Sequence, residues 1–439
     1  MKKTLISILL LVPLAAAGQD HSGPWTLQEC VRYAQDNNIT LKQRDLQVKQ
    51  QEIQLETSKG SRLPQVSAST SENFSFGRGL TADNTYSNTN TTSTGISLGT
   101  SVPLFQGFRI GNNIKEGELS LKAATEDLEK AREDMSVSVA QAYVQILYNM
   151  EILDVAENQV GIDSLQLVRL SAMLDNGKAS PSQVAQQKAA LGQSRLTATQ
   201  ARNTLNLSLL DLTQLLELPS PEGFSIVRPE VPIDGILLGN PEDIYAEAIE
   251  SKPSVKAEQF RLDATEFTIK SAKGAFLPSI SASGGLGTNY YTMSAAPSEV
   301  FFNQIKNNFS QYLGLSLSVP IFTGFQSRNQ VRQAELSRTN QMLQLENTKK
   351  SLYKEIQQAW YNAVAAAEKY RSSVDAKDSA KESFDLMLAK YENGKANITE
   401  FNESRDSWLK AESDLARSRY EYLYSAKLLD FYRGRPLEF

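Results

Sequence analysis

The sequence is poor in the residues on which enzymes most often depend. Among 439 residues there is one cysteine, Cys30, and one histidine, His21. A lone thiol can form no intrachain disulfide. A lone imidazole, lying beside an N-terminal leader, leaves no His-based triad or metal cluster. The chain also lacks any apolar run near the ~20 residues that a membrane-spanning helix requires. It has no basic excess: the formal net charge is −5, which argues against nucleic acid as a partner. Asn176-Gly177-Lys178-Ala179 is no phosphate loop, because the glycine five positions earlier and the hydroxyl residue after the lysine are both missing. Carboxylates are plentiful but fall on polar helix faces at no paired spacing. The chain therefore reads as no enzyme, with no cofactor and no metal site.

The first residues carry a different signal. Met1-Lys2-Lys3 leads into the apolar run Thr4–Leu14, and then into Ala15-Ala16-Ala17-Gly18. A basic start, a short apolar stretch and small residues predict a secretory signal peptide over residues 1–17. Cys30 follows Leu27-Gln28-Glu29 inside a helical pattern, so it reads as a half-buried helix residue and not as a lipid anchor. An exported chain without a membrane helix can cross a bilayer only as β-strands.

What the sequence does have is an internal repeat. Lys59-Gly60-Ser61-Arg62-Leu63-Pro64 returns as Lys273-Gly274-Ala275-Phe276-Leu277-Pro278, 214 positions on. Val102-Pro103-Leu104-Phe105-Gln106-Gly107-Phe108 returns 217 positions on as Val319-Pro320-Ile321-Phe322-Thr323-Gly324-Phe325. Asn176-Gly177-Lys178-Ala179 returns, again 217 on, as Asn393-Gly394-Lys395-Ala396. Between these landmarks apolar residues recur every seven: Ile114, Leu121, Leu128, Met135 and Ala142, then Val331, Leu345, Leu352 and Ala359, with Arg338 as the one break. A second register follows each Asn-Gly-Lys turn, through Val184, Leu191, Ala198, Leu205 and Leu212, and through Phe401, Trp408, Leu415, Tyr422 and Leu429. A sustained spacing of seven predicts helices packed along a narrow seam. The turn glycines end one helix, and Ser180-Pro181 supplies the cap and first residue of the next. Each half thus holds one long antiparallel helical hairpin, too polar elsewhere for a globular core and suited to a wall one helix thick.

The segments Pro64–Phe105 and Pro278–Phe322 alternate instead. Val66, Ala68, Thr70, Phe74 and Phe76 interleave with serines and Asn73, and Ile96, Leu98, Thr100, Val102 and Leu104 repeat the pattern. In the second half the phase runs through Ile280, Ala282, Leu286 and Tyr290, then Leu313, Leu315, Leu317, Val319 and Ile321. Period two with small polar partners predicts strands with one lipid-facing side. Polar loops, roughly 77–93 and 291–307, join each pair. Glu72, in the apolar phase, marks a strand end outside the bilayer core. Pro103 and Gly107, with Pro320 and Gly324, mark sharp strand-to-helix turns. The predicted order is then signal peptide 1–17, short periplasmic helices 18–63, β-hairpin 64–105, helical hairpin 106–218 and a Pro-rich linker 219–240. The second repeat follows as helices 241–277, β-hairpin 278–322, and helical hairpin with tail 323–439. Four strands cannot close a barrel, since single-chain barrels begin at about eight, and lipid tolerates no open edge. Further copies of the chain must complete it.

The Leu-Pro borders, the paired Val-Pro-Leu-Phe-x-Gly and Val-Pro-Ile-Phe-x-Gly motifs, the Asn-Gly-Lys turns and the start Thr26-Leu27-Gln28-Glu29-Cys30 resemble the TolC-like outer-membrane efflux family over nearly the whole mature chain. The resemblance implies a homotrimer, whose twelve-stranded β-barrel in the outer membrane continues as an α-helical barrel in the periplasm. It implies a periplasmic membrane-fusion adaptor and an inner-membrane pump of RND, ABC or MFS type as partners, and outer-membrane lipid around the strands. The function implied is a channel-tunnel for efflux or type I secretion, with most of its mass in the periplasm. Tip residues Asn176, Gly177, Lys178, Asn393, Gly394 and Lys395 would meet the adaptor. Glu400 and Glu403, six and nine positions after Gly394, stand where the family places an acidic ring at the periplasmic constriction. Gln183 and Gln186 occupy the matching places in the first repeat, and Ala396 stands where the family often has arginine. The competing reading from the heptads alone is a periplasmic coiled-coil scaffold without a pore. The alternating strands speak against it, because a scaffold has no use for lipid-facing strands.

Overall fold

A computed structural model describes residues 23–80, 84–229, 239–294 and 297–438. The signal-peptide segment, His21 and Pro232 lie outside the described residues. The first repeat opens with two short helices, α1 (Leu27–Asn37) and α2 (Ile39–Gly60). Thr26 and Glu29 start α1 with a reciprocal capping box, and the Asn38 side chain accepts from the Thr40 N–H to start α2. Strand β1 (Gln65–Ser75) follows, then a small ribbon, β2 (Arg78–Leu80) with β3 (Tyr86–Asn88), and the long strand β4 (Thr91–Gln106). Helices α3 (Arg109–Asp175) and α4 (Pro181–Leu215) form the first hairpin.

The second repeat mirrors this order. Helices α5 (Pro241–Ser251) and α6 (Pro253–Lys273) lead to β5 (Ser279–Met293), a short helix α7 (Phe301–Asn307) and β6 (Ser310–Ser318). Helices α8 (Gln326–Glu392) and α9 (Ile398–Tyr432) form the second hairpin. The hairpin lengths repeat as well: α3 and α8 each have 67 residues, α4 and α9 each 35. At 1.5 Å per residue the longer helices extend about 100 Å.

The four long strands form one antiparallel sheet in the order β1-β4-β5-β6, so the two repeats join through the β4–β5 pair. Two features depart from the alternation read in the sequence. The connections at 77–93 and 291–307 hold the β2–β3 ribbon and α7, where only polar loops were expected. Strand β6 ends at Ser318, although Val319 and Ile321 continue the apolar phase. Register explains this: Ser318 already faces Ser279, the first residue of β5, so the next residues have no strand to pair with. On its other side β5 keeps β4 paired to Gln106, by way of a bulge between Pro103 and Phe105, where proline offers no N–H.

Two cores anchor the short helices to the long ones. Trp25, Leu27, Cys30 and Ala34 pack on Val139, Ala140, Tyr143, Ile146 and Leu147 of α3, together with Leu212, Leu216, Ile226 and Leu437. Cys30 is fully buried there, not half-buried. In the second repeat Ile244, Ala248 and Val255 pack on Leu345, Leu352, Ile356, Ala359 and Ala363 of α8. Removing one such side chain, for example by Ile356→Ala, costs roughly 2–5 kcal/mol. The described part of the linker crosses the first core: Trp25 pairs with Ile226 in a parallel bridge, and the Tyr143 hydroxyl donates to the Val227 carbonyl at 2.7 Å. Helix α2 runs along α3, while α6 lies between α3 and α8.

Candidate functional site

The sheet sorts its side chains by face. Val66, Thr100, Gly284 and Leu313 stand in one cross-strand row, and Ala68, Leu98, Leu286 and Gln311 in the next. Leu98, Leu286, Leu313, Leu315 and Leu317 on this side are exposed, with Leu313 at 90%. The opposite side is almost wholly serine and glycine: Ser69, Ser97, Gly287 and Ser310 share one row, and Ser67, Gly99, Gly285 and Tyr312 another. A sheet apolar on one face and wet on the other is the pattern of a membrane barrel wall. Tyr312 lies over the paired glycines, with its ring 2.6 Å from where a Cβ on Gly285 would stand. Glu72 accepts from the Thr94 hydroxyl near the loop end of the sheet. Among the described residues no helix is long and apolar enough to cross a membrane.

The strand-to-helix turns are sharp and repeated. Gly107 and Gly324 have φ of +58° and +59°, and each is followed by a phenylalanine, Phe108 or Phe325, also left-handed at +63° and +65°. A Cβ on Gly107 would sit 2.3 Å from the Gly274 carbonyl oxygen, whereas nothing crowds Gly324 within 4 Å. Pro103 lies within β4 at its bulge, while Pro320 lies beyond the end of β6.

At the far end of the hairpins Asn176, Gly177 and Lys178 form one tip and Asn393, Gly394 and Lys395 the other, all exposed. Gly177 and Gly394 adopt φ of +67° and +68°. The Lys178 N–H donates to Met173 O and the Lys395 N–H to Lys390 O, both at 2.8 Å, closing the two helices alike. The Asn176 and Asn393 side chains each donate to a carbonyl four residues back, Ala172 O and Ala389 O, at 2.7 Å.

Glu400 and Glu403 lie in the first two turns of α9, both exposed. The Glu400 carboxylate accepts from the Asn397 N–H at 3.0 Å, while its own N–H donates to the Asn397 side chain at 2.9 Å. Gln183 fills the same role beside Ser180 in the first repeat. The first turn after each tip thus carries a capping box, through Gln183 in one half and Glu400 in the other, and of the two glutamates only Glu400 has its carboxylate engaged by a hydrogen bond.

Sequence reasoning missed the polar node that binds the tips together. Arg405 of α9 donates to the Asp163 carboxylate of α3, and their side chains are 5% and 0% exposed. The Gln187 amide of α4 donates to Asp163 Oδ1 at 3.2 Å and to its carbonyl at 3.1 Å. Asp406 accepts from a second Arg405 nitrogen at 2.9 Å. An apolar cluster of Leu170, Phe384, Ile398 and Phe401 seals the same region, and Arg169 pairs with Glu392 at 2.6 Å. The signal for Asp163 was present: it stands in the Ile114 register, seven before Leu170 and fourteen after the buried Asn149.

No group of three or more His, Cys, Asp or Glu among the described residues is placed to hold a metal ion. The arrangement combines a sheet that is apolar on one face and wet on the other with long helices ending in paired polar tips.

Comparison with known proteins agrees with this reading. The outer membrane efflux protein BepC of Brucella suis is 22% identical over 93% of this chain and 85% of its own length. The outer membrane protein TolC of Escherichia coli is 26% identical over 79% of this chain and 71% of its own. The crystal structure of the outer membrane protein VceC from Vibrio cholerae superposes with a TM-score of 0.76 at 17% identity, covering 94% of this chain and 97% of that one. That likeness shows a shared fold. The family profile described as "Outer membrane efflux protein" matches residues 31–217 and 244–435, one stretch for each repeat, and the chain belongs to that family.

Proposed function

We propose that three copies of this outer membrane efflux protein close a twelve-stranded β-barrel, continued by an α-helical tunnel through the periplasm. The observation that carries the reading is the open sheet. Among the described residues its outer strands β1 and β6 each pair on one side only, and its exposed face is lined with leucine. An open, lipid-facing edge is not tolerated in a bilayer, so neighbouring copies must supply the missing partners. The tips around Gly177 and Gly394 would meet a periplasmic membrane-fusion adaptor, which joins the tunnel to an inner-membrane pump of RND, ABC or MFS type. Small molecules or proteins would pass from that pump to the exterior. Glu403 is the better candidate for an acidic constriction, since the carboxylate of Glu400 is engaged at the helix start.

The test is conductance of the purified, detergent-extracted protein in planar bilayers, with its copy number measured by native mass spectrometry. Trimers that give small, long-lived, cation-biased steps support the reading. Trimers that insert and stay silent under all voltages, or protein found only in the soluble periplasmic fraction, would favour a scaffold.

A further inference from the structure

Strand β5 outruns its neighbour β6. Their pairing ends at Gly287, opposite Ser310, while on its other side β5 stays paired with β4 as far as Met293. Residues 288–293 thus have no strand partner on one edge among the described residues, and helix α7 covers that edge with side-chain amides. The Tyr291 N–H donates to Gln304 Oε1, and Gln304 Nε2 donates to the Tyr291 carbonyl, both at 2.9 Å. The Asn308 amide donates to the Asn289 carbonyl at 2.7 Å, and the Thr288 hydroxyl donates to the Ile305 carbonyl at 2.6 Å. These bonds hold a helix of seven residues, too short to persist in water by itself.

The clamp also sets the side on which α7 lies. Thr288 and Tyr290 continue the phase of Leu286 on the leucine face, and Phe301 packs on the Tyr290 ring with centroids 5.0 Å apart. Both are half-covered, whereas Asn289 and Tyr291 on the wet face stay exposed. Its level is fixed as well. The row of Thr70, Ile96 and Thr288 is followed by that of Glu72, Thr94 and Tyr290, where the apolar face gives way to a carboxylate. Phe301 and the half-buried Ile305 share the side of α7 turned to the sheet. Phe302 and Lys306, also four apart, share another side, and both are exposed, Phe302 at 79%. Phe309, of the same parity as Leu313 and 57% exposed, carries this surface on into the leucines of β6. An exposed aromatic beside a cation, at the edge of a lipid-facing surface, is the chemistry of a membrane interface. We infer that α7 is an interfacial helix, with Phe302 seated among lipid headgroups and Lys306 on the phosphate of an outer-leaflet glycolipid. The outer leaflet is the one in reach, because the other ends of the strands run into the helices. This rests on the barrel reading above, in which the leucine face meets lipid.

The test is a Phe302→Trp variant of the whole protein, reconstituted in phosphatidylcholine vesicles whose acyl chains are brominated near the glycerol. The parent protein supplies the background from Trp25, Trp360 and Trp408. Leu313→Trp, on the exposed strand face, is the control for insertion. The expected result is emission from position 302 that is blue-shifted and quenched several-fold beyond the parent. Quenching at position 313 without quenching at 302 overturns the inference and leaves the barrel in place. A blue-shifted but unquenched indole at 302 means that protein, such as the next copy, covers α7, and overturns it too. Quenching at neither position removes the barrel reading itself. Native mass spectrometry with added lipid A, a phosphate-bearing glycolipid, tests the headgroup contact. Lys306→Gln is expected to retain several-fold less lipid A than the parent, and equal retention overturns the role given to Lys306.

Discussion

Arg405 reaches from α9 of the second hairpin to Asp163 on α3 of the first, and almost none of either side chain touches water. A buried ion pair gains little over a well-packed apolar pair, but stranding one member is expensive. Arg405→Met should therefore destabilise the periplasmic helices by roughly 3–5 kcal/mol, whereas the double variant Asp163→Leu/Arg405→Met should recover most of the loss. Thermal melts followed by far-ultraviolet circular dichroism distinguish the two. Equal loss in both variants would show that the pair contributes through its charges and not through mutual neutralisation.

Burial, and secondarily the neighbouring Glu29, pushes the Cys30 thiol up to about 12. The thiolate is the reactive form. Cys30 should stay unlabelled by maleimide in the folded protein up to mildly alkaline pH and react promptly after denaturation, as read by intact mass. Rapid labelling of the native protein would show that α1 lifts away from α3.

Glu403→Gln should reduce cation selectivity, measured as a reversal-potential shift across a salt gradient, more than Glu400→Gln does. Glu400 and Asn397 matter to folding instead: Asn397→Ala removes the cap and should cost about 1 kcal/mol. A larger selectivity change at Glu400 would mean that the capping box opens in the assembled channel.

The two repeat-related turns should respond unequally. Gly324→Ala meets only the left-handed penalty of roughly 1–2 kcal/mol. Gly107→Ala adds a collision with the Gly274 carbonyl, 2.3 Å from the new Cβ. Yield of folded, membrane-inserted protein should fall far more for Gly107→Ala, and similar yields would indicate that the turn against Gly274 gives way easily.

Burial raises the carboxyl pKa of Glu412, with Lys377 and Lys381 opposing it. A carboxyl held above its unfolded pKa is costly when charged, so the cost is present at neutral pH and vanishes as pH falls through the raised value. Glu412→Gln should raise the melting temperature at neutral pH, with the gain shrinking towards acid. A gain that persists in acid would assign the effect to packing.

Local rules made much of this protein readable. The Ile114 register, the Ser180-Pro181 start and the Asn-Gly-Lys turns each fix a helix or its end through a few neighbouring residues. The same register, followed from Ala142 through Asn149 and Ala156, would have reached Asp163 and exposed a charge in a core position. Its partner was not legible, because Arg405 meets Asp163 only once the two hairpins lie side by side. The end of β6 was equally hidden: Val319 and Ile321 have strand character, yet pairing depends on where β5 begins. Glu400 shows the opposite limit, since the family resemblance implies a pore role for it while its spacing from Asn397 defines a cap.

Leu437 closes the same core as Trp25 and Leu27. A chain that crosses the inner membrane amino end first delivers the α1 side of that core long before the residue that completes it. The first repeat must wait, with that core short of its last side chain, until the tail arrives. Periplasmic holding factors would find their target in that interval, and shortening the tail before Leu437 should lengthen it.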